Sequence, residues 1–405
     1  MRMKIGKVAC LVSVFVVLFG LTATGWAQAP KTLTMGIATP LTGPAANVGA
    51  NYRNAVLLAM EHQNAKGGVT IGGQKYLIDA ITRDTKFDVT VAKTVSEELV
   101  FDKKVKIIFG ASPVEMASMQ AITEPNKILL FGMSPIAGQV GPEKPYTFIL
   151  GGYPDAMYTQ GALYIKEHHP QATKVASTYA DLPDMPMAES AAKNTMSRFG
   201  FTWLGMEKWA AGTSDFSAVI QKILAKKPDV VDTSMSGGAM GAVLPILVKQ
   251  LRQAGFDGVI WMPAVPPPGV MEEAVSKAYL NKIVTNDIDL NSPICTKAYK
   301  DLYAEYVAKY KNHPIDLMGW VYDGTTAFFN FLNTKKSMDT AVWLQGFEKY
   351  RWKNVFGFEG RWVGKPVFGN NRFMVATTWV SEWKDGKLSN MEAPPNYPWQ
   401  IFESK

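Results

Sequence analysis

Short β-branched, apolar runs alternate with longer amphipathic segments along most of this 405-residue chain, and that rhythm restricts its fold more than any other feature. Residues 33–39 read as a strand. Residues 49–66 read as a helix, with Ala55, Val56, Ala59, Met60 and Gln63 stepping at helical spacing and Gly67-Gly68 ending it. Strands over 76–82, 105–109 and 128–131 come next, separated by helices over 89–101 and 113–124. Past Gly151-Gly152 the alternation resumes. Helices over 155–168, 187–199, 215–224 and 239–254 interleave with strands over 174–179, 201–206, 229–233 and 258–262. Pro245 should kink the last of these helices or shift its start. Strand, helix, strand at this spacing predicts parallel sheets covered on both faces. From 291 to about 346 the pattern is mainly helical, and 356–383 is strand-like and rich in Trp, Phe and Gly.

The first residues predict export. Arg2, Lys4 and Lys7 form a basic stretch, 8–21 is an almost unbroken apolar run, and Gly25 and Ala27 stand at the spacing a signal peptidase reads. Residues 1–27 are therefore expected to be a cleaved signal peptide, with the mature chain starting at Gln28, exported and then soluble. The apolar run is shorter than the roughly 20 residues that a spanning helix needs. The mature chain is too long for one ordinary core and implies two domains. Formal net charge is +7, three of those positives lie in the signal, and the rest are interspersed with acids. No basic stripe with interleaved aromatics is present, which argues against nucleic acid as a partner. Cys10 leaves with the signal, so Cys295 has no disulfide partner and reads as a small buried hydrophobe.

Catalytic signatures are missing: there is no GxSxG elbow, no GxxxxGK[ST] loop and no GxGxxG fingerprint. The four histidines, at positions 62, 168, 169 and 313, form no metal-ligand spacing. His168-His169 ends a helix just before Pro170, where imidazoles can meet the negative helix terminus. Neither an enzyme activity, a metal nor a cofactor is expected.

In open parallel sheets ligands bind beyond the carboxyl ends of the strands, so the loops there carry the information. Three stand out in the first half: 39–44, 110–115 and 132–136. In the middle one Ser112 fits the N-cap, Pro113 the first helical position and Glu115 the third, a capping box whose free N–H groups and hydroxyl would suit a ligand carboxylate. A helix that is simply well capped gives the same letters. Glu115 would then turn back to the backbone; the alternative is that it meets a cationic ligand group. The second half offers the loops 179–187, 234–238 and 263–269, with Met185, Met187, Met235 and Met240 around them as adaptable lining or ordinary core.

At these residues the chain resembles the periplasmic binding proteins of branched-chain amino acid ABC importers, within the type I periplasmic binding fold. The stretches that carry the resemblance are IATPLTGPAANVGANYRNAVLLAMEHQNAKGGV, GTSDFSAVIQKILAKKPDVV and YDGTTAFFNFL, and it covers nearly all of the mature chain. It implies two Rossmann-like α/β lobes with parallel sheets flanked by helices, joined by a three-strand hinge, with the ligand enclosed between them. The lobes are expected at 28–150 with 285–355, and at 151–284 with 356–405. A membrane permease and ATPase are the implied partners, and the receptor is expected to be a monomer.

For the site, the resemblance implies a hydroxyl from the loop of Ser112, Val114 and Glu115, and a backbone carbonyl and second hydroxyl from the loop of Ser134 and Ile136. Relatives add an aromatic ring near Met185, another near Ser236 and Gly237, and an acid near Val265 that holds an α-ammonium. This chain lacks that second hydroxyl at Ile136, and all three second-lobe features. A buried ammonium without a carboxylate would cost several kcal/mol. Either Glu115 or Asp184 substitutes for the acid, or the ligand has no ammonium. The second option points to a small aromatic or aliphatic carboxylate or amide, with a true branched-chain amino acid as the alternative. Ser112 and Ser134 are expected to dock it, and Tyr179, Met185 and Ser236 to swing in as the hinge closes. Tyr153 is either a hinge-side contact or an aromatic packed beneath the hinge. A sensing module serving a membrane kinase or regulator would share every one of these features.

Overall fold

The apolar runs Ile107–Gly110 and Leu129–Gly132 are buried at every position, as central strands covered on both faces must be. The computed structural model describes residues 29–393 except 44, 111, 134–137, 152–153, 183–184, 211, 234–242, 264–268, 316 and 376–378, so the expected signal segment lies outside the described residues. Eight described strands form the first sheet, in the order Trp362–Val363, Phe373–Met374, Thr147–Ile149, Leu129–Gly132, Ile107–Gly110, Lys31–Thr39, Gln74–Asp84 and Val69–Ile71. From Thr147–Ile149 through to Gln74–Asp84 neighbouring strands run parallel. Val69–Ile71 turns back on Gln74–Asp84 through Gly72-Gly73, both at positive φ, the conformation a two-residue hairpin requires.

Helices close both faces of this sheet. Ala46–Ala65 and Leu317–Leu332 lie on one, over a core in which Phe131 stacks on Phe109 at 4.7 Å and meets Phe328 at 4.9 Å. Val89–Glu97 and Met116–Thr123 cover the other. Asp88 caps the first of these by accepting from the N–H groups of Thr90 and Val91. The helix expected over 89–101 is α-helical only to Glu97 and widens to a π-turn over Glu98–Asp102, closed by Lys103 N–H on the Glu98 carbonyl.

Seven described strands make the second sheet, in the order Lys387–Glu392, Val380–Lys384, Ile283–Thr285, Val259–Met262, Val230–Asp232, Lys174–Ala180 and Thr202–Trp209. Pro154–His168 and Met185–Arg198 pack on one face, Ser217–Ala225 and Leu244–Gln253 on the other. Pro245 sits in the first turn of Leu244–Gln253, so of the two outcomes expected of it the shifted start is the one found. Two α/β lobes with mostly parallel, helix-covered sheets are thus present.

The lobe boundary differs from expectation. Trp362–Val363 and Phe373–Met374 pair with one another, and Phe373 pairs with Ile149, so the chain remains in the first lobe until about Val375 rather than leaving it at 356. Strands of two residues carry too little periodicity to assign to a sheet from the letters. His168 and His169 also differ. Instead of facing a helix terminus alone, His168 Nε2 lies 2.5 Å from Glu392 and His169 Nε2 2.9 Å from Glu382, both on the C-terminal hairpin. Cys295 is free and buried, and burial pushes its thiol up.

Candidate functional site

The carboxyl edges of the two sheets, joined by the crossovers, form the part of the fold where a ligand can be held. On the first lobe, Asp84 at the end of its strand organises the loop that follows the neighbouring strand. Its carboxylate accepts from Leu41 N–H at 2.8 Å, Thr42 N–H at 3.3 Å, Thr42 Oγ1 at 2.7 Å and Lys86 N–H at 2.8 Å. Partial burial raises its pKa, and these hydrogen bonds outweigh that and hold it below the usual carboxylate range. Gly110 must be glycine, since its φ is +137° and a Cβ would stand 1.7 Å from the Ala38 carbonyl oxygen. Tyr52 reaches the same edge from Ala46–Ala65 and donates to the Phe131 carbonyl at 2.6 Å.

Ser112 and Glu115 form a closed pair. Ser112 Oγ donates to Glu115 Oε2 at 2.5 Å, and Ser112 N–H approaches the same oxygen at 3.3 Å. The carboxylate half of the expected capping box is therefore made, and the hydroxyl half is not. The hydroxyl donates to the side chain rather than accepting from a helical N–H, and the α-helix begins only at Met116. Glu115 is wholly buried, and its Oε1 has no hydrogen-bond partner. The Thr39 and Thr85 hydroxyls are buried without partners too. These three atoms follow the ends of three strands that are consecutive in the sheet: Ile107–Gly110, Lys31–Thr39 and Gln74–Asp84.

On the second lobe, Asp232 ends its strand fully buried and accepts from Ser177 Oγ at 2.7 Å; Trp203 Nε1 in turn reaches Ser177 Oγ at 3.3 Å. Tyr179 is buried at the end of Lys174–Ala180. Met185 opens Met185–Arg198 half-buried against the second-lobe core, which favours the core reading of this methionine. Val114 is half-buried beside Ser112. Ser134, Ile136, Tyr153, Asp184, Ser236, Gly237 and Val265 lie outside the described residues. The structure therefore places Ser112, Val114 and Glu115 together on one lobe, and Tyr179 and Met185 on the other. Sequence reading missed Asp84 and Asp232. Among the described residues no group of His, Cys, Asp and Glu is arranged to hold a metal ion, and no helix is long and apolar enough to cross a membrane.

Residues 32–387 match the profile of the periplasmic binding protein family. A leucine-, isoleucine-, valine-, threonine- and alanine-binding protein of Pseudomonas aeruginosa is 27% identical over 237 residues, which is 57% of this chain and 60% of that relative's length. A branched-chain amino acid transporter substrate-binding protein, LivJ of Streptococcus pneumoniae in complex with isoleucine, superposes with a TM-score of 0.70 at 20% identity, covering 90% of this chain and 99% of its own. An ABC transporter solute-binding protein of Rhodopseudomonas palustris BisB5, in complex with 3,4-dihydroxybenzoic acid, gives a TM-score of 0.70 at 18% identity, with 91% and 99% coverage.

Proposed function

The chain belongs to the periplasmic binding protein family, and on that premise we propose that it is the solute receptor of an ABC importer, exported to the periplasm and acting there as a non-catalytic monomer. Its cleft closes on a small aromatic or aliphatic carboxylate or amide and presents the closed form to a membrane permease driven by an ATPase. The observation that carries this reading is the row of orphaned polar atoms at the carboxyl edge of the first sheet. Buried polar atoms are rarely left unpaired in native proteins, and two hydroxyls and a carboxylate oxygen carried at the ends of neighbouring strands suit a small polar ligand. Glu115 and Asp232 are each bound to a serine of their own lobe, which supports a ligand without an ammonium group.

One observation favours a second reading. Glu115 Oε1 can still accept a hydrogen bond, so a ligand N–H, whether amide or α-ammonium, has a place to bind. Matched pairs separate the two: benzoate against benzamide, propionate against propionamide, leucine and valine. A ligand that binds only the folded state raises the melting temperature with saturation. A rise with acids or amides and none with leucine or valine supports the proposed class; a rise with leucine or valine alone contradicts it.

A further inference from the structure

The chain passes between the lobes three times, over 150–153, 286–296 and 375–379, and the side chain of Asn286, in the second crossover, reaches the segments belonging to the other two. Its Nδ2 donates to Gln160 Oε1 at 3.3 Å and to the Trp379 carbonyl at 3.2 Å. Gln160 lies on Pro154–His168, the helix that the first crossover enters, and Trp379 lies at the end of the third crossover. Ser381 Oγ adds a second bond between the third and second crossovers, to the Asp287 carbonyl at 2.8 Å. Because a backbone carbonyl can only accept, the amide orientation is fixed: nitrogen faces Trp379. Asn286 is fully buried, and its Oδ1 has no partner. That orphaned oxygen is a cost which an apolar residue would avoid, and the two N–H bonds are what the amide provides in return.

Trp379 is held from both sides. Its carbonyl belongs to this second-lobe knot, while its indole is buried in the first-lobe core, 5.3 Å from Phe356, 6.0 Å from Tyr299 and 6.2 Å from Phe358. The first crossover stays attached to the first lobe through Leu150 N–H on Gly132 and Gly151 N–H on Met133, and the third through Val375 N–H on Arg361. In the third crossover the first-lobe and second-lobe attachments thus meet at Trp379.

Resting on the cleft-closing reading above, we propose that Asn286 is a positioning residue for ligand capture. By tying the second crossover to the helix that the first one enters and to the end of the third, it makes the three turn as one axle and narrows the range of lobe orientations of the ligand-free receptor. Apparent affinity scales with the fraction of molecules in the binding-competent arrangement, so this side chain tunes affinity without touching ligand.

The test needs no known ligand. Spin labels on cysteines introduced at the exposed positions Ala117 and Ser190, one on each lobe, report the interlobe distance by pulsed electron resonance. Asn286→Ala is expected to broaden that distribution at least roughly twofold, and Gln160→Met, which removes one of the two acceptors, to broaden it less. Distributions matching the wild type in both variants overturn the proposal even if Asn286→Ala lowers the melting temperature, since that would be a purely structural role. Gln160→Met alone decides the matter if Asn286→Ala does not fold. A wild-type distance unmoved by every acid, amide and amino acid tried would count against the receptor reading itself. Closure of the wild type, with variants indistinguishable from it, removes only the role of Asn286.

Discussion

Ser112 donates its hydroxyl to Glu115 at 2.5 Å, and both side chains are buried, so the two residues best placed to meet a ligand first meet each other. Hydrogen bonds to charged groups contribute about 1.5–3 kcal/mol. Ser112→Ala leaves the carboxyl group with only the long bond from a backbone N–H and is expected to cost stability in that range. Glu115→Gln, which keeps an acceptor oxygen, should cost less. The two changes together should be non-additive, as residues in contact are. Urea titration of the single and double variants measures the coupling, and an additive pair would show that the bond contributes nothing.

The acid limb of stability should carry the signature of Asp84. Four hydrogen bonds hold its folded-state pKa below the ordinary value, so its contribution is fully present above the unfolded carboxyl pKa near 3.9. It is lost progressively as pH falls from there through the lowered folded-state pKa. The gap in melting temperature between wild type and Asp84→Asn should therefore narrow as pH drops from 6 to about 3. A gap that stays constant across that span would show that the carboxylate charge plays no part in ordering the loop at Leu41 and Thr42.

Gly161→Ala sets two effects against each other. Alanine gains about 1 kcal/mol of helix propensity inside Pro154–His168. Its Cβ would stand 2.4 Å from the ring of the fully buried Trp261, and overpacking of that kind costs about 1–3 kcal/mol or more. The clash should win. The variant should melt lower than wild type, and adding Trp261→Leu should recover part of the loss.

Lys311 ends the helix Lys297–Tyr310 in the left-handed region, at φ 58° and ψ 25°. A side chain there costs about 1–2 kcal/mol, and glycine offsets roughly half of that gain through a freer unfolded chain. Lys311→Gly is expected to stabilise by about 0.5 kcal/mol. Thermal melts that show a loss would mean that the lysine side chain makes a favourable contribution of its own.

The alternation of apolar strands and amphipathic helices was legible because parallel, doubly covered strands such as Ile107–Gly110 are continuous apolar runs. The third crossover was not, because Trp362–Val363 and Phe373–Met374 are two residues long and defined by their partners. At the site, the spacing of Ser112 and Glu115 predicts bonds from each side chain to backbone N–H groups; the bond from Ser112 N–H to Glu115 is made, while the hydroxyl donates to the carboxylate instead. Asp232 follows two valines and reads as the polar end of a strand; its partner Ser177 is 55 positions away. Asn286 is tied to Trp379 across 93 positions and to Gln160 across 126. No local pattern encodes bonds of that range.

Small-angle scattering with and without the compound that most raises the melting temperature tests the central claim most directly. Closure of the two lobes over the ligand predicts a smaller radius of gyration in the bound state, reversed when the ligand is dialysed away. An unchanged radius at saturation would contradict a cleft that closes on its solute.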